Sequence, residues 1–168
     1  MVKLRKKNNS GIKPKIYLAG GINSLSDSEC IEWREEMKNL FPECDFLDPM
    51  VRDYRGQTQE KYKEIVEGDL EDIEQSNVFI AYMFQPSVGT SMEIVITAIE
   101  HGLKPIVFWD NLERKPSPWL LYFSDVCTDK KEWLKKIRIA ISEFHEKVNI
   151  MARSIELGLY IPGEEYEQ

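Results

Sequence analysis

Apolar positions along the chain follow two rhythms. Short runs, Lys15-Ile16-Tyr17-Leu18-Ala19, Cys44-Asp45-Phe46-Leu47, Asn77 to Phe84, Lys104 to Trp109 and the brief Asp125-Val126-Cys127, read as strands. The Asn77 to Phe84 run is nearly all apolar, as expected of a central parallel strand covered on both faces. Between the runs the spacing turns helical. Ile31, Met37, Leu40 and Phe41, with Trp33 or Arg34 between, give a helix around Ser28 to Leu40 that Pro42 stops. Tyr62, Val66, Leu70 and Ile73 mark a second helix within Gln59 to Ser76. In a third, Met92, Val95, Ile96 and Ile99 are expected to face the core, and Gly102 ends it as a C-cap. Trp133, Leu134, Ile137, Ile141 and Phe144 mark a long amphipathic helix, and Val148 to Leu159 reads as a separate one ending at Gly158. Strands alternating with helices predict one α/β domain over residues 15–168, built on a roughly five-stranded parallel sheet.

Loops at the carboxyl ends of these strands carry the polar chemistry, and in open α/β sheets that is where ligands bind. Gly20-Gly21 lets a ligand approach the first strand closely, although no G-x-G-x-x-G follows it. The segment from Asp48 to Gly56 is too polar for a core, so Asp48, Arg52, Asp53 and Arg55 are candidate contacts, or else ion pairs across a loop. Ser87-Val88-Gly89-Thr90-Ser91-Met92-Glu93 turns the chain from strand to helix. It places Glu93 on the first helical turn, where the helix dipole is expected to keep a carboxylate ionised. Two readings of Glu93 stand side by side: a nucleophile, or the far end of a Thr90-to-Glu93 capping box.

Composition narrows the classes. With 168 residues, 42% hydrophobic and 30% charged, the chain is ordinary for a globular domain. Met1 to Lys15 holds six of the 22 basic residues, so the remainder carries 16 against 29 acidic ones, a charge of −13. Residues 1–14 are expected to be a flexible basic tail, and so acidic a body repels polymeric nucleic acid. No apolar run has the length of a membrane span and no h-region follows the basic start, so no membrane partner and a cytoplasmic location are expected. Cys30, Cys44 and Cys127 are odd in number without C-x-x-C spacing, and His101 and His145 stand alone; neither a disulfide framework nor a metal site is indicated.

Taken together, Ile16-Tyr17-Leu18-Ala19-Gly20, Leu47-Asp48-Pro49, Glu67-Gly68-Asp69 with Asp72-Ile73, and Gly89-Thr90-Ser91-Met92-Glu93 resemble the nucleoside 2-deoxyribosyltransferase family, from about Lys15 to Leu134. That family includes true transferases and relatives that hydrolyse nucleoside 5'-monophosphates. The resemblance implies a flavodoxin-like, Rossmann-like three-layer fold and no cofactor. It implies Glu93 as nucleophile, Asp69 as the acid that handles the leaving base, and Tyr17 with Gly20 and Gly21 near the sugar. Asp72, Ser87, Gly89 and Ser117 join the expected substrate-binding set. Partners would be a nucleoside or nucleotide and a free nucleobase, and the assembly a homodimer or higher oligomer. Where the transferase branch has an Asp six residues before the nucleophile, this chain has Ser87, as the monophosphate hydrolases do. Gly21 and Asn23 stand where those hydrolases carry Ser and Arg, with Arg52, Arg55 and Ser117 as substitutes. Base exchange on 2'-deoxynucleosides is the first expectation, monophosphate hydrolysis the second, and a nucleotide-binding module without turnover the third.

Overall fold

A computed structural model describes residues 11–23 and 25–159. The basic residues up to position 10 and the acidic end from position 160 lie outside that range. Five strands, β1 (Lys15–Gly20), β2 (Asp45–Leu47), β3 (Val78–Met83), β4 (Ile106–Trp109) and β5 (Asp125–Cys127), form one sheet in the order β2-β1-β3-β4-β5. All four pairings are parallel. Five helices connect or follow them: α1 (Asp27–Leu40), α2 (Tyr62–Gln75), α3 (Val88–Glu100), α4 (Pro118–Phe123) and α5 (Lys130–Glu156).

The sheet is buried on both faces, so its two sides hold two cores. On one side Ile16, Leu18, Ile80 and Phe108 pack against Trp33 and Met37 of α1 and Trp133 and Ile137 of α5. The Trp133 indole N–H donates to the Ile106 carbonyl at 3.1 Å, which satisfies the one polar atom of a fully buried ring. On the other side Tyr17, Ala19, Phe79, Ala81 and Val107 pack against Ile73 of α2, Ile94 of α3 and Leu120 of α4. From β1 the chain winds outward to β2, and from β3 to β4 and β5, so the direction reverses between β1 and β3. That reversal opens a crevice at the carboxyl ends of these two strands.

Three expectations need correcting. In α3 the buried residues are Thr90, Ile94 and Thr97, while Met92 and Ile99 are 60% and 65% exposed. The helix is apolar nearly all round, so its periodicity does not single out one inward face. In α2 only Ile73 is fully buried, and Tyr62, Val66 and Leu70 are exposed, because the helix meets the sheet through its last turns. Val148 to Leu159 is not a separate helix. α5 runs unbroken from Lys130 to Glu156, capped by Asp129 at its start and closed near Gly158 at φ +67°. No helix among the described residues is long and apolar enough to cross a membrane.

Candidate active site

The crevice holds a cavity of about 210 Å³. Its walls are Gly20 at the end of β1, Ile22 and Asn23 after it, the loop from Pro49 to Thr58, Ile65 and Asp69 of α2, and Ser87 before α3 with Gly89, Thr90 and Glu93 in it. Larger cavities lie elsewhere, among them one of about 780 Å³ at the opposite end of the sheet beside α5, one of about 700 Å³ between α1 and α5 and one of about 530 Å³ between α3 and α4. The smaller one is the candidate because perturbed ionisable groups converge there.

α3 begins one turn earlier than the sequence suggests. Ser87 is its N-cap, with Oγ accepting from Thr90 N at 3.4 Å and from Thr90 Oγ1 at 3.0 Å. Glu93 therefore sits in the second turn, and the capping box proposed for Thr90 and Glu93 does not exist. Glu93 is also not held ionised by the helix end. Burial, followed by the negative charge of Asp69, pushes its carboxyl up to about 8, against smaller opposing effects of Tyr17 and Arg34. Asp69 is likewise raised, chiefly by burial, with Arg52 pulling the other way. Beneath them Tyr17 is fully buried, and its hydroxyl faces Glu93 without reaching full hydrogen-bond geometry. Burial and three neighbouring carboxylates hold that phenol protonated.

Arg52 reaches from a 3-10 turn, Pro49–Arg52, to Asp69 Oδ1 at 3.0 Å and Asp72 Oδ2 at 2.6 Å. It crosses α2 over Gly68, where an added Cβ would lie 2.8 Å from Arg52 Nε. A mid-helix glycine is otherwise unfavourable, and here it makes room for the guanidinium. Arg55 is tied to Asp53 at 2.6 Å and to Asp27 at 2.7 Å. Both arginines of the cavity wall are thus paired with carboxylates.

The structure brings Gly20, Arg52, Asp53, Arg55, Asp69, Ser87, Gly89 and Glu93 to one cavity, with Tyr17 and Asp72 behind it. Three expected contacts lie elsewhere. Asp48 is buried under the loop, where it caps the 3-10 turn through Met50 N and pairs with Arg34 at 3.2 Å and Lys38 at 2.8 Å. Ser117 caps α4 and lines the groove between α3 and α4, sharing only Ser87 with the candidate site. Gly21 borders the cavity residues without lining it; a Cβ there would meet Leu25 Cδ1 at 3.1 Å.

With a solved 2-deoxyribosyltransferase from the psychrotolerant bacterium Bacillus psychrosaccharolyticus, the chain aligns over 72% of its own length and 88% of the other, at a TM-score of 0.53 and 17% identity. Its fold is that of a 2-deoxyribosyltransferase. The CMP N-glycosidase BcmB of Clostridium botulinum aligns over 74% of this chain and 98% of that one, at a TM-score of 0.48 and 21% identity. Neither a family model nor a curated protein matches the sequence.

Within this 2-deoxyribosyltransferase fold, one residue of consequence escaped the sequence reading. Arg34 is completely buried on the inner face of α1. The signal was there: Cys30, Trp33, Arg34 and Met37 form an inward stripe at helical spacing, and a charge in such a stripe requires partners.

Proposed function

We propose that the protein cleaves the N-glycosidic bond of 2'-deoxynucleosides and transfers the sugar to another nucleobase through a covalent deoxyribosyl-Glu93 intermediate. The observation that carries this reading is the pair of carboxyl groups, Asp69 from α2 and Glu93 from α3, facing one cavity at the sheet's ligand-binding edge; the raised pKa of Asp69 suits a proton donor, while Glu93 attacks in its ionised form. A Glu93 oxygen attacks C1' as the C1'–N bond breaks, and Asp69 delivers a proton or hydrogen bond to the departing base. An acceptor base then attacks C1', passes its N–H proton to Asp69 and displaces the Glu93 carboxylate, as in retaining glycosidases. Tyr17, protonated and facing Glu93, orients the nucleophile.

A second reading is hydrolysis of nucleoside 5'-monophosphates, and Ser87 at the N-terminus of α3 supports it, since helix starts favour anions. The ion pairs weigh against it. With Arg52 held by Asp69 and Asp72, and Arg55 by Asp53 and Asp27, a phosphate dianion meets no uncommitted guanidinium in the cavity wall. Assembly as a homodimer completes the proposal. Val88, Met92, Trp119 and Tyr122, between 60% and 80% exposed, leave an apolar face on α3 and α4 next to the site.

Chromatography after incubation with deoxynucleosides or their 5'-monophosphates, with and without an acceptor base, tests the reading. New deoxynucleoside appearing only with the acceptor is the expected result. Faster base release from monophosphates, insensitive to acceptor, would favour hydrolysis.

A further inference from the structure

Arg34 stands directly behind the candidate site. Its guanidinium donates through Nη1 to the Cys30 carbonyl and through Nη2 to the carbonyls of Leu18 at 3.4 Å and Gly20 at 3.3 Å. Nε faces Asp48 Oδ1 at 3.2 Å, and the guanidinium lies 4.5 Å over the Trp33 ring. One side chain thus ties α1 to the end of β1 and to the loop after β2. Gly20 is itself a cavity wall, and a Cβ on it would lie 3.4 Å from Arg34 Nη2 and 2.9 Å from Trp33 Cζ2. A side chain there would press on the Trp33 ring and, at 3.2 Å, on the Tyr82 carbonyl.

We propose that Arg34 is a positioning residue of the site: its grip on the Leu18, Gly20 and Cys30 carbonyls fixes α1 against the carboxyl end of β1 and so sets the Gly20 wall of the cavity that Glu93 faces. This rests on the assignment of Glu93 as the reacting carboxylate. The groups facing Glu93 are Tyr17 from β1, Asp69 from α2 and Arg34 from α1, while Asp72 acts on Tyr17, and Arg52 is engaged by Asp69 and Asp72. Asp69 raises Glu93 and Arg34 opposes it. An arginine keeps its charge even when buried, so it can serve as a permanent counter-charge. Asp48 does not cancel it, because Lys38 shares that carboxylate at 2.8 Å.

Two variants separate the charge from the fork. Arg34→Lys keeps a cation but lacks the planar fork that spans the three carbonyls; Arg34→Gln removes the charge. Two measurements on the ligand-free protein avoid any reliance on turnover: the titration of Glu93 by carbon NMR, assigned by its loss in Glu93→Gln, and amide hydrogen exchange at Gly21 to Asn23. In Arg34→Lys the loop amides should exchange roughly tenfold faster or more while the Glu93 midpoint stays in place. In Arg34→Gln the midpoint should also rise, because a positive neighbour is removed. If Arg34→Gln does not fold, Arg34→Lys decides alone. Native exchange rates in the loop, or a Glu93 midpoint in folded Arg34→Gln equal to that of the natural protein, would overturn the proposal. Absence of base release by the natural protein from every deoxynucleoside would instead remove the assignment of function, and leaves both measurements readable.

Discussion

Replacing Glu93 by Gln should make the empty protein more stable at alkaline pH while removing its activity. The sign follows from the direction of the shift. Glu93 titrates at about 8 in the folded chain against 4.5 as its ordinary value, so folding disfavours the ionised form. Stability linked to this group is fully present below pH 4.5, declines as pH rises, and is lost once pH passes 8. A shift of this size, at 1.36 kcal/mol per pH unit, corresponds to a penalty on the order of 4 kcal/mol at pH 8.5 and under about 1 kcal/mol at pH 5. Gln carries no charge and escapes the penalty at both pH values. For a chain of this size each kcal/mol moves Tm by ~2–4 °C, so Glu93→Gln should melt up to roughly 8–16 °C above the natural protein at pH 8.5, with little difference at pH 5. Scanning calorimetry at the two pH values measures this, and base release from a deoxynucleoside, expected to fall by several orders of magnitude, is followed alongside. Equal Tm differences at both pH values would refute the argument that folding disfavours the ionised form of the carboxyl at this position.

Other outcomes follow from the same geometry. Asp69→Asn should slow release of ordinary nucleobases by ~10²–10⁴-fold and much less for bases that leave without a proton, a contrast read by comparing leaving groups of different acidity; it should also lower the Glu93 midpoint, because a negative neighbour is removed. In Gly68→Ala the new methyl group collides with Arg52, so Asp69 loses its cationic partner and its own pKa should rise, seen as a displaced limb in the pH profile of kcat/KM, while the helix gains about 0.5–1 kcal/mol of propensity. An active monomer by light scattering at assay concentration would end the homodimer proposal, and Met92→Glu should dissociate the dimer if the exposed apolar face of α3 forms it.

The sheet was largely legible because β1, β3 and β4 are covered on both faces, so their residues are continuously apolar and bounded by Gly, Pro or polar turns. Asp69 and Glu93 lay in stretches the sequence also marked. What failed was orientation. Ser87 and Thr90 are both good N-cap residues, and the choice between them shifted Glu93 by a full turn; the direction of its pKa change comes from burial and from the charge of Asp69, which only the tertiary fold brings about. The faces of α3 could not be sorted because Met92, Val95, Ile96 and Ile99 are as apolar as Ile94, and the exposed set differs from the core set only through tertiary packing. The roles of Asp48 and Arg34 depend on a pairing across fourteen residues, Arg34 to Asp48, that no helix period or motif encodes.

The parallel pairing of β1 with β3 joins Ile16 to Val78 and Gly20 to Tyr82, and is sealed at its start by Lys15 N donating to Asn77 Oδ1 at 2.9 Å. Some sixty residues must be gathered before those ladders form, whereas α1, α2 and α3 need only local contacts. Tyr17, Asp69 and Glu93 lie on elements far apart along the chain, and they meet only when that loop closes. After dilution from denaturant, helical signal should return ahead of the cavity, and any catalytic activity should recover in step with the late, sheet-closing phase.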